Sequence, residues 1–270
     1  IAKAASLPWG VLTFEPHPRA VFQSDAPPFR LTPFRAKADA IADLGVDFLV
    51  AQKFDMTFSQ QSAQSFISDY LVDVLAVHHL VAGYDFKFGH KRQGSCEILL
   101  SDGQKLGFGF TVVAAASDDG GGLYSSSRVR ELVAAGDMKA ACDVLGHPFM
   151  ISGRVAHGDK RGRTIGFPTA NVALGGYIHP KFGVYAVRAQ LPDGKMVDGV
   201  ANLGLRPTFA GAAPRLEVHL FDFNADIYGD RVQVQLLELI REEKKFDGLD
   251  ALKAQIAVDG EQARKILKTI

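Results

Sequence analysis

The sequence predicts two domains, an α/β domain on a parallel sheet followed by an antiparallel β-barrel that carries a terminal helix. Three observations predict this. Strand-like and helix-like periodicities alternate up to about Gly146, His147 and Pro148. After Pro148 the pattern changes to short β-branched and aromatic runs broken by turn residues. The last stretch then returns to helical spacing. A chain of 270 residues is long enough for about two cores at roughly 150 residues per domain. The boundary is therefore placed between residues 146 and 147.

In the first half, Val11 to Phe14 reads as a short apolar strand and Ala36 to Leu44 as a helix closed by Gly45, where a glycine accepts the left-handed turn. Val46 to Ala51 is the next strand. Ser59 is placed as the cap of a helix whose Phe66, Ile67, Leu71, Val74 and Leu75 fall on one stripe. His79 to Ala82 and Phe110 to Ala115 complete the strands. Strands separated by helices imply parallel pairing, with ligands at the carboxyl ends of the strands.

In the second half the expected strands are Phe149 to Val155, Val184 to Ala189, Lys195 to Ala201, Leu216 to Phe223 and Val232 to Ile240. The tripeptides Pro192-Asp193-Gly194, Arg206-Pro207-Thr208 and Tyr228-Gly229-Asp230 are read as the turns between them. Leu252, Ile256, Ala263, Ile266 and Leu267 give the terminal helix, Leu249 to Ile270, an apolar stripe to lay on the barrel.

Composition narrows the class of partner. Thirty basic and 30 acidic residues cancel, so no electrostatic footprint for nucleic acid or an anionic membrane is expected. Cys96 and Cys142 are far apart and lack metal or redox spacing, which argues against zinc or disulfide scaffolding and suits a reducing, cytoplasmic setting. No apolar run is long enough to span a bilayer. The expected partner is a small molecule.

The run Gly153 to Asn171, GRVAHGDKRGRTIGFPTAN, carries the chemistry. Gly153, Gly158, Gly162 and Gly166 let backbone N–H groups approach an anion, while Lys160, Arg161 and Arg163 supply positive charge. Thr169 and Asn171 are two apart, so an extended backbone presents both on one face, where a hydroxyl and an amide oxygen suit a hard cation. Both donors are neutral, which fits Mg²⁺ arriving with ATP. Asp159 and Lys160 stand where a Walker loop needs Lys and Ser or Thr, so a P-loop fold is not expected. The pattern points to phosphoryl transfer. Moving phosphate to an alcohol calls for a carboxylate to accept the hydroxyl proton. In LEVHLFDF, Leu216, Val218 and Leu220 share one strand face and Glu217, His219 and Phe221 the other. Glu217 and Asp222 are the local candidates.

Three loops of the first half stand out. TFEPHPRAVF presents His17 between two prolines, GYDFKFGHKRQG presents Asp85 beside Phe86 and Phe88, and YSSSRVRELV places Arg128 and Arg130 in the first turn of a helix capped by Ser126 or Ser127. Cations at a helix start oppose the macrodipole, which is reasonable where an anion docks.

Taken in order, TFEPHP, GYDFKFG, SSSRVR, GRVAHGDKRGRTIGFPTAN, FGVYAV, GVANLGLRPTF, LEVHLFDF and IREEKKFDGLDALKAQI resemble the bacterial bifunctional riboflavin kinase and FMN adenylyltransferase family, also called FAD synthetase, over nearly the whole chain. The resemblance implies a nucleotidyltransferase-like first domain and a kinase barrel. It implies ATP-dependent conversion of riboflavin to FMN, adenylylation of FMN to FAD with release of pyrophosphate, and Mg²⁺ for both. It also implies roles for residues. Thr169 and Asn171 would bind Mg²⁺-ATP, the loop with Gly158, Lys160, Arg161, Gly162 and Arg163 would cover the phosphates, Glu217 would be the general base and Arg241 would lie near the flavin. In the first domain His17 and Asp85 would line the flavin and ATP site with Phe22, Phe66 and Phe88 as ring neighbours, and Ser126, Ser127 and Arg130 would hold ATP phosphates. Family members also carry a Gly-x-Phe-Asp-Gly-x-His-x-Gly-His segment that contacts phosphates in adenylyl transfer. The present sequence does not contain it, so the expectation is kinase activity for the chain as it stands and adenylyl transfer where that segment is present. Ser127 stands where the family commonly has Thr, with the hydroxyl kept.

Overall fold

A computed structural model of the chain describes residues 1–157, 166–208 and 211–270, the side chains of 206–208 and 211–212 excepted. The chain forms two compact units, Ile1–Ala26 with Lys37–Tyr124, and Pro27–Ala36 with Ser125–Ile270.

The first unit contains four strands, β1 (Gly10–Glu15), β2 (Phe48–Lys53), β3 (His79–Gly83) and β4 (Gly109–Val113). They pair in parallel, as the alternation with helices requires, but as two separate two-stranded ladders, β1 with β2 and β3 with β4. The core between them is aromatic and aliphatic: Phe66, Ile67, Leu71, Phe88, Leu99 and Phe108 are buried, with Leu12 and Phe14 of β1 against them. Gly45 does close the helix Phe34–Asp43, with φ of 73°. The helix expected to start at Ser59 starts later. Asp55 caps one short turn, Met56–Ser59, by accepting from the Phe58 N–H at 2.9 Å. Ser62 then caps the next helix by accepting from the Ser65 N–H at 3.0 Å. That helix continues from Phe66 to Val74 in π-helical winding. The wider turn explains why Ile67 and Leu71 are buried while Val74, on the stripe that a 3.6-residue period predicts, is 68% exposed.

The second unit is a closed six-stranded antiparallel barrel. Its strands are β5 (Phe149–Ala156), β6 (Ala170–Ala173), β7 (Gly183–Gln190), β8 (Met196–Thr208), β9 (Gly211–Leu220) and β10 (Arg231–Glu242), in the order β10-β5-β6-β9-β8-β7. Five of the six match expected runs. The sixth, β6, is only four residues long, too short to show an alternation of its own. Pro192-Asp193-Gly194 and Tyr228-Gly229-Asp230 are turns. Arg206-Pro207-Thr208 is not: it lies in β8, with Pro207 opposite Ala212 of β9. Proline has no N–H to give a ladder, so it fits only a position where none is called for.

Alternation sorts the strand residues as the sequence pattern requires. Ile151, Val172, Tyr185, Leu203, Leu216 and Val234 point inward and are fully buried. On the outside, Val184, Ala186, Val200 and Phe221 pack under Ala263 and Leu267 of the terminal helix (Leu249–Leu267). Two further helices, Ser126–Ala135 and Met138–Leu145, contribute Val129, Val133, Met138 and Ala141 to the barrel core. The first of them is capped by Ser125, which accepts from the Arg128 N–H at 3.2 Å, and not by Ser126 or Ser127.

The sheet is tight beside the strand that bears Glu217. A methyl at Gly199 on β8 would stand 2.5 Å from the His219 carbonyl oxygen of β9. Because that neighbour is backbone in a paired strand, Gly199→Ala is expected to destabilise the barrel by about 1–3 kcal/mol, read from thermal unfolding. An unchanged melting temperature would show that the β8–β9 ladder yields more easily than its geometry implies.

Candidate functional site

The barrel register assembles the site. Ala156 of β5 lies opposite Asn171 of β6, Asn171 opposite Glu217 of β9, Glu217 opposite Asn202 of β8, Asn202 opposite Val184 of β7, and Val184 opposite Arg241 of β10. Directly opposed residues project from the same face of a sheet. The next row, which contains Val172, Leu216 and Leu203, faces the core. The polar row is therefore on the outside of the barrel, continuous with the strip on which the terminal helix packs.

Glu217 thus stands between two amides. Cross-strand neighbours have Cβ atoms about 5 Å apart, so the carboxylate and both amides can address one ligand. Asn171 is buried, 6% exposed, and its side-chain amide has no hydrogen-bond partner among the described residues. The amide atoms themselves are not sealed off, since among the described residues the buried side-chain polar atom found without a partner is Gln61 Oε1, so the Asn171 amide is open to a ligand or cation. Asn202 donates through Nδ2 to Oε1 of Glu243 at 3.5 Å, a long contact. Asn202 was not singled out from the sequence, although it breaks the apolar run Val200-Ala201-Asn202-Leu203.

Thr169 lies one residue before β6, in the segment Phe167-Pro168-Thr169, and is half-buried. The preceding turn is tied to β9, because the His219 ring meets the Pro168 carbonyl through Nδ1 at 2.8 Å. The loop residues Gly158, Lys160, Arg161, Gly162 and Arg163 lie outside the described residues.

The structure separates the two candidate carboxylates. Asp222 follows β9 in a left-handed conformation, φ 54°, and its carboxylate takes both Arg264 Nη1 and Nη2, at 2.8 and 3.1 Å. The hydrogen bonds and charge of Arg264 hold its pKa below the ordinary carboxylate value, which makes it a weak base. Glu217, in mid-strand and facing Asn171, is the better placed of the two.

Arg241 is engaged within the protein. Its Nε and Nη2 grip Asp259 of the terminal helix, at 2.9, 3.1 and 2.7 Å, and Nη1 donates to the Glu242 carbonyl at 2.9 Å. The guanidinium also lies 5.6 Å from the centre of the Phe246 ring. Asp259 is 3% exposed and accepts from Gln255 Nε2 at 2.8 Å as well. Its signal in the sequence was a charge inside the helix's apolar stripe, between Ile256 and Ala263.

In the first unit His17 caps a short helix, Pro18–Phe22, by accepting the Arg19 N–H on Nδ1 at 3.1 Å. Phe22 is 59% exposed and meets Phe54 edge-on at 5.8 Å. Asp85 is exposed at the turn after β3. Phe66 and Phe88 are core residues, 3% and 7% exposed, with ring centres 5.3 Å apart. Ser126, Ser127 and Arg130 belong to the second unit. There Arg130 donates to the Phe29 carbonyl at 2.7 Å and to Ser126 Oγ at 3.0 Å, while both serines are exposed.

No group of three or more His, Cys, Asp or Glu side chains that could cage a metal occurs among the described residues. The oxygens of Asn171 and Glu217 on the outer row, with the Thr169 hydroxyl just before β6, are a donor set that suits Mg²⁺ better than zinc or copper.

Comparison with known proteins matches a riboflavin kinase family model to residues 145–267 and an FAD synthetase family model to residues 1–128. The chain is similar to proteins named bifunctional riboflavin kinase/FMN adenylyltransferase. That of Escherichia coli K12 is 47% identical, covering 96% of this chain and 83% of the relative. Those of Haemophilus influenzae and Bacillus subtilis are 44% and 41% identical, each covering 97% of this chain and 85% and 84% of the relative. Among solved structures, a Streptococcus pneumoniae protein titled a macrolide-efflux protein is 33% identical, with a TM-score of 0.84, covering 97% of this chain and 85% of that one. No helix of the described residues is long and apolar enough to cross a membrane.

Proposed function

The chain belongs to the bifunctional riboflavin kinase/FMN adenylyltransferase family, and from that premise we propose that Asn171 and Glu217 on the outer row of the barrel, with Thr169 just before β6, form the kinase centre. The enzyme makes FMN and FAD: ATP phosphorylates riboflavin, and a second ATP adenylylates FMN with release of pyrophosphate. The kinase chemistry is assigned to residues 147–270 and adenylyl transfer to residues 1–146.

The observation that carries the site assignment is the register of β6 on β9, which sets Glu217 directly opposite Asn171. In the kinase step the terminal ribityl oxygen forms a bond to the γ-phosphorus, the bond from that phosphorus to the β,γ-bridging oxygen breaks, and ADP leaves. Glu217 orients the hydroxyl and takes its proton. Being in mid-strand between two paired neighbours, its backbone is held rigidly, which limits the loss of orientation during the reaction. Thr169 and Asn171 would hold Mg²⁺-ATP, the metal neutralising phosphate charge when bound, and Gly158, Lys160, Arg161, Gly162 and Arg163 would cover the phosphates. Arg241 would act beside the flavin from its anchorage on Asp259.

For adenylyl transfer, His17, Asp85 and Phe22 are proposed as contact residues in the first unit, with Phe66 and Phe88 supporting them from the core. Ser126, Ser127 and Arg130 are proposed to bind ATP phosphates. Both cysteines are free, in keeping with a cytoplasmic setting.

Replacing Asn171 tests the assignment. Asn171→Leu keeps the volume near that of the amide and removes its polar atoms, so KM for Mg²⁺-ATP in FMN formation should rise about tenfold or more, the value of one hydrogen bond to a charged partner. An unchanged KM would remove Asn171 from the nucleotide site.

A further inference from the structure

We infer that His219 is a positioning residue for the nucleotide: by donating to the Pro168 carbonyl it sets the turn that presents Thr169 and Asn171. This deepens the kinase reading above and rests on it. A carbonyl only accepts, so the ring nitrogen facing it at 2.8 Å, Nδ1, carries the proton. The ring is held on two sides, edge-on to Phe167 at 5.5 Å and to Phe221 at 5.9 Å. Phe221 is in turn 8% exposed and lies 4.1 Å from the Arg264 guanidinium. The peg is therefore built, not incidental.

Its position gives it a purpose. His219 follows Glu217 by two residues on β9 and leaves the strand on the same face, while Pro168 immediately precedes Thr169. Proline locks its own φ, so the direction of its carbonyl, and with it the entry of the chain into Thr169, depends on one remaining rotation. The hydrogen bond fixes that rotation. One strand thus carries both the proton acceptor and the support for the segment opposite it.

Three variants at this position separate positioning from bulk. His219→Phe keeps the flat ring and loses the donor, His219→Asn places an amide N–H near the Nδ1 position, and His219→Gln places one near Nε2. Removing such a supporting partner should raise KM for Mg²⁺-ATP roughly tenfold or more, with riboflavin KM moving less than about twofold. His219→Asn should recover most of the loss and His219→Gln should not, a comparison that stands even where the Phe variant fails to fold. The inference is overturned if His219→Phe keeps its ATP KM, if Asn and Gln behave alike, or if the KM values for both substrates rise together. Glu217→Gln is assayed alongside. If it is inactive while the His219 variants resemble the parent, only the role of His219 falls; if it is fully active, the kinase site itself is misassigned.

Discussion

Glu217→Gln is expected to lower the turnover of riboflavin phosphorylation by about 10²–10⁴-fold, the usual contribution of a positioned general base. The substitution keeps shape and hydrogen-bonding length but removes the proton acceptor. On β9 the residue is flanked by Asn171 and Asn202, two neutral amides beside which a third can sit. Binding of Mg²⁺-ATP should therefore survive and melting temperature should change little. Riboflavin-dependent FMN formation is the measurement, with nucleotide affinity as the control. Loss of turnover with retained affinity assigns the proton to Glu217. Turnover equal to the parent's would remove it from that role, and Asp222, already committed to Arg264, offers no ready substitute.

Asp259→Ala should cost about 3 kcal/mol of stability, the lower end of the range for breaking a buried ion pair. The lower end applies because the Arg241 side chain remains 20% exposed, whereas that of Asp259 is 4% exposed. The deletion leaves a guanidinium facing the space from which its carboxylate was taken, and it also strips Gln255 of an acceptor. Replacing both partners, Arg241→Met with Asp259→Leu, should restore most of the loss, since an apolar pair of similar volume needs no desolvated charge. Denaturant unfolding of the three proteins checks this. If the double variant were no more stable than Asp259→Ala, the pair would be doing more than cancelling its own burial. The double variant should at the same time weaken riboflavin use if Arg241 acts beside the flavin.

Much of this architecture could be read before any coordinates existed, and the reasons differ by element. The barrel strands were legible as short runs of β-branched and aromatic residues bounded by turn residues, and in β9 the faces also alternate, apolar inward and polar outward. β6 was not legible as a strand, being four residues long; only the spacing of Thr169 and Asn171 hinted at extended backbone. Arg206-Pro207-Thr208 carries turn-type residues yet lies in a ladder, a case where pairing with a long partner strand overrides local preference. The helix caps at Ser62 and Ser125 were displaced by one to three residues from the expected ones because several serines in each stretch satisfy the same local chemistry.

The sequence by itself determined the two-part architecture and the inward and outward faces of β9, and it supplied the residue types proposed to handle phosphate and a hard cation. Periodicity and side-chain chemistry are properties of neighbours along the chain. Tertiary structure alone decided that Glu217 faces Asn171, that Asn202 completes the row, that Arg264 occupies Asp222 and that Arg241 is held by the buried Asp259. Those outcomes depend on strand register and on where the terminal helix lies, which bring together residues far apart in sequence, and no local pattern encodes such a meeting.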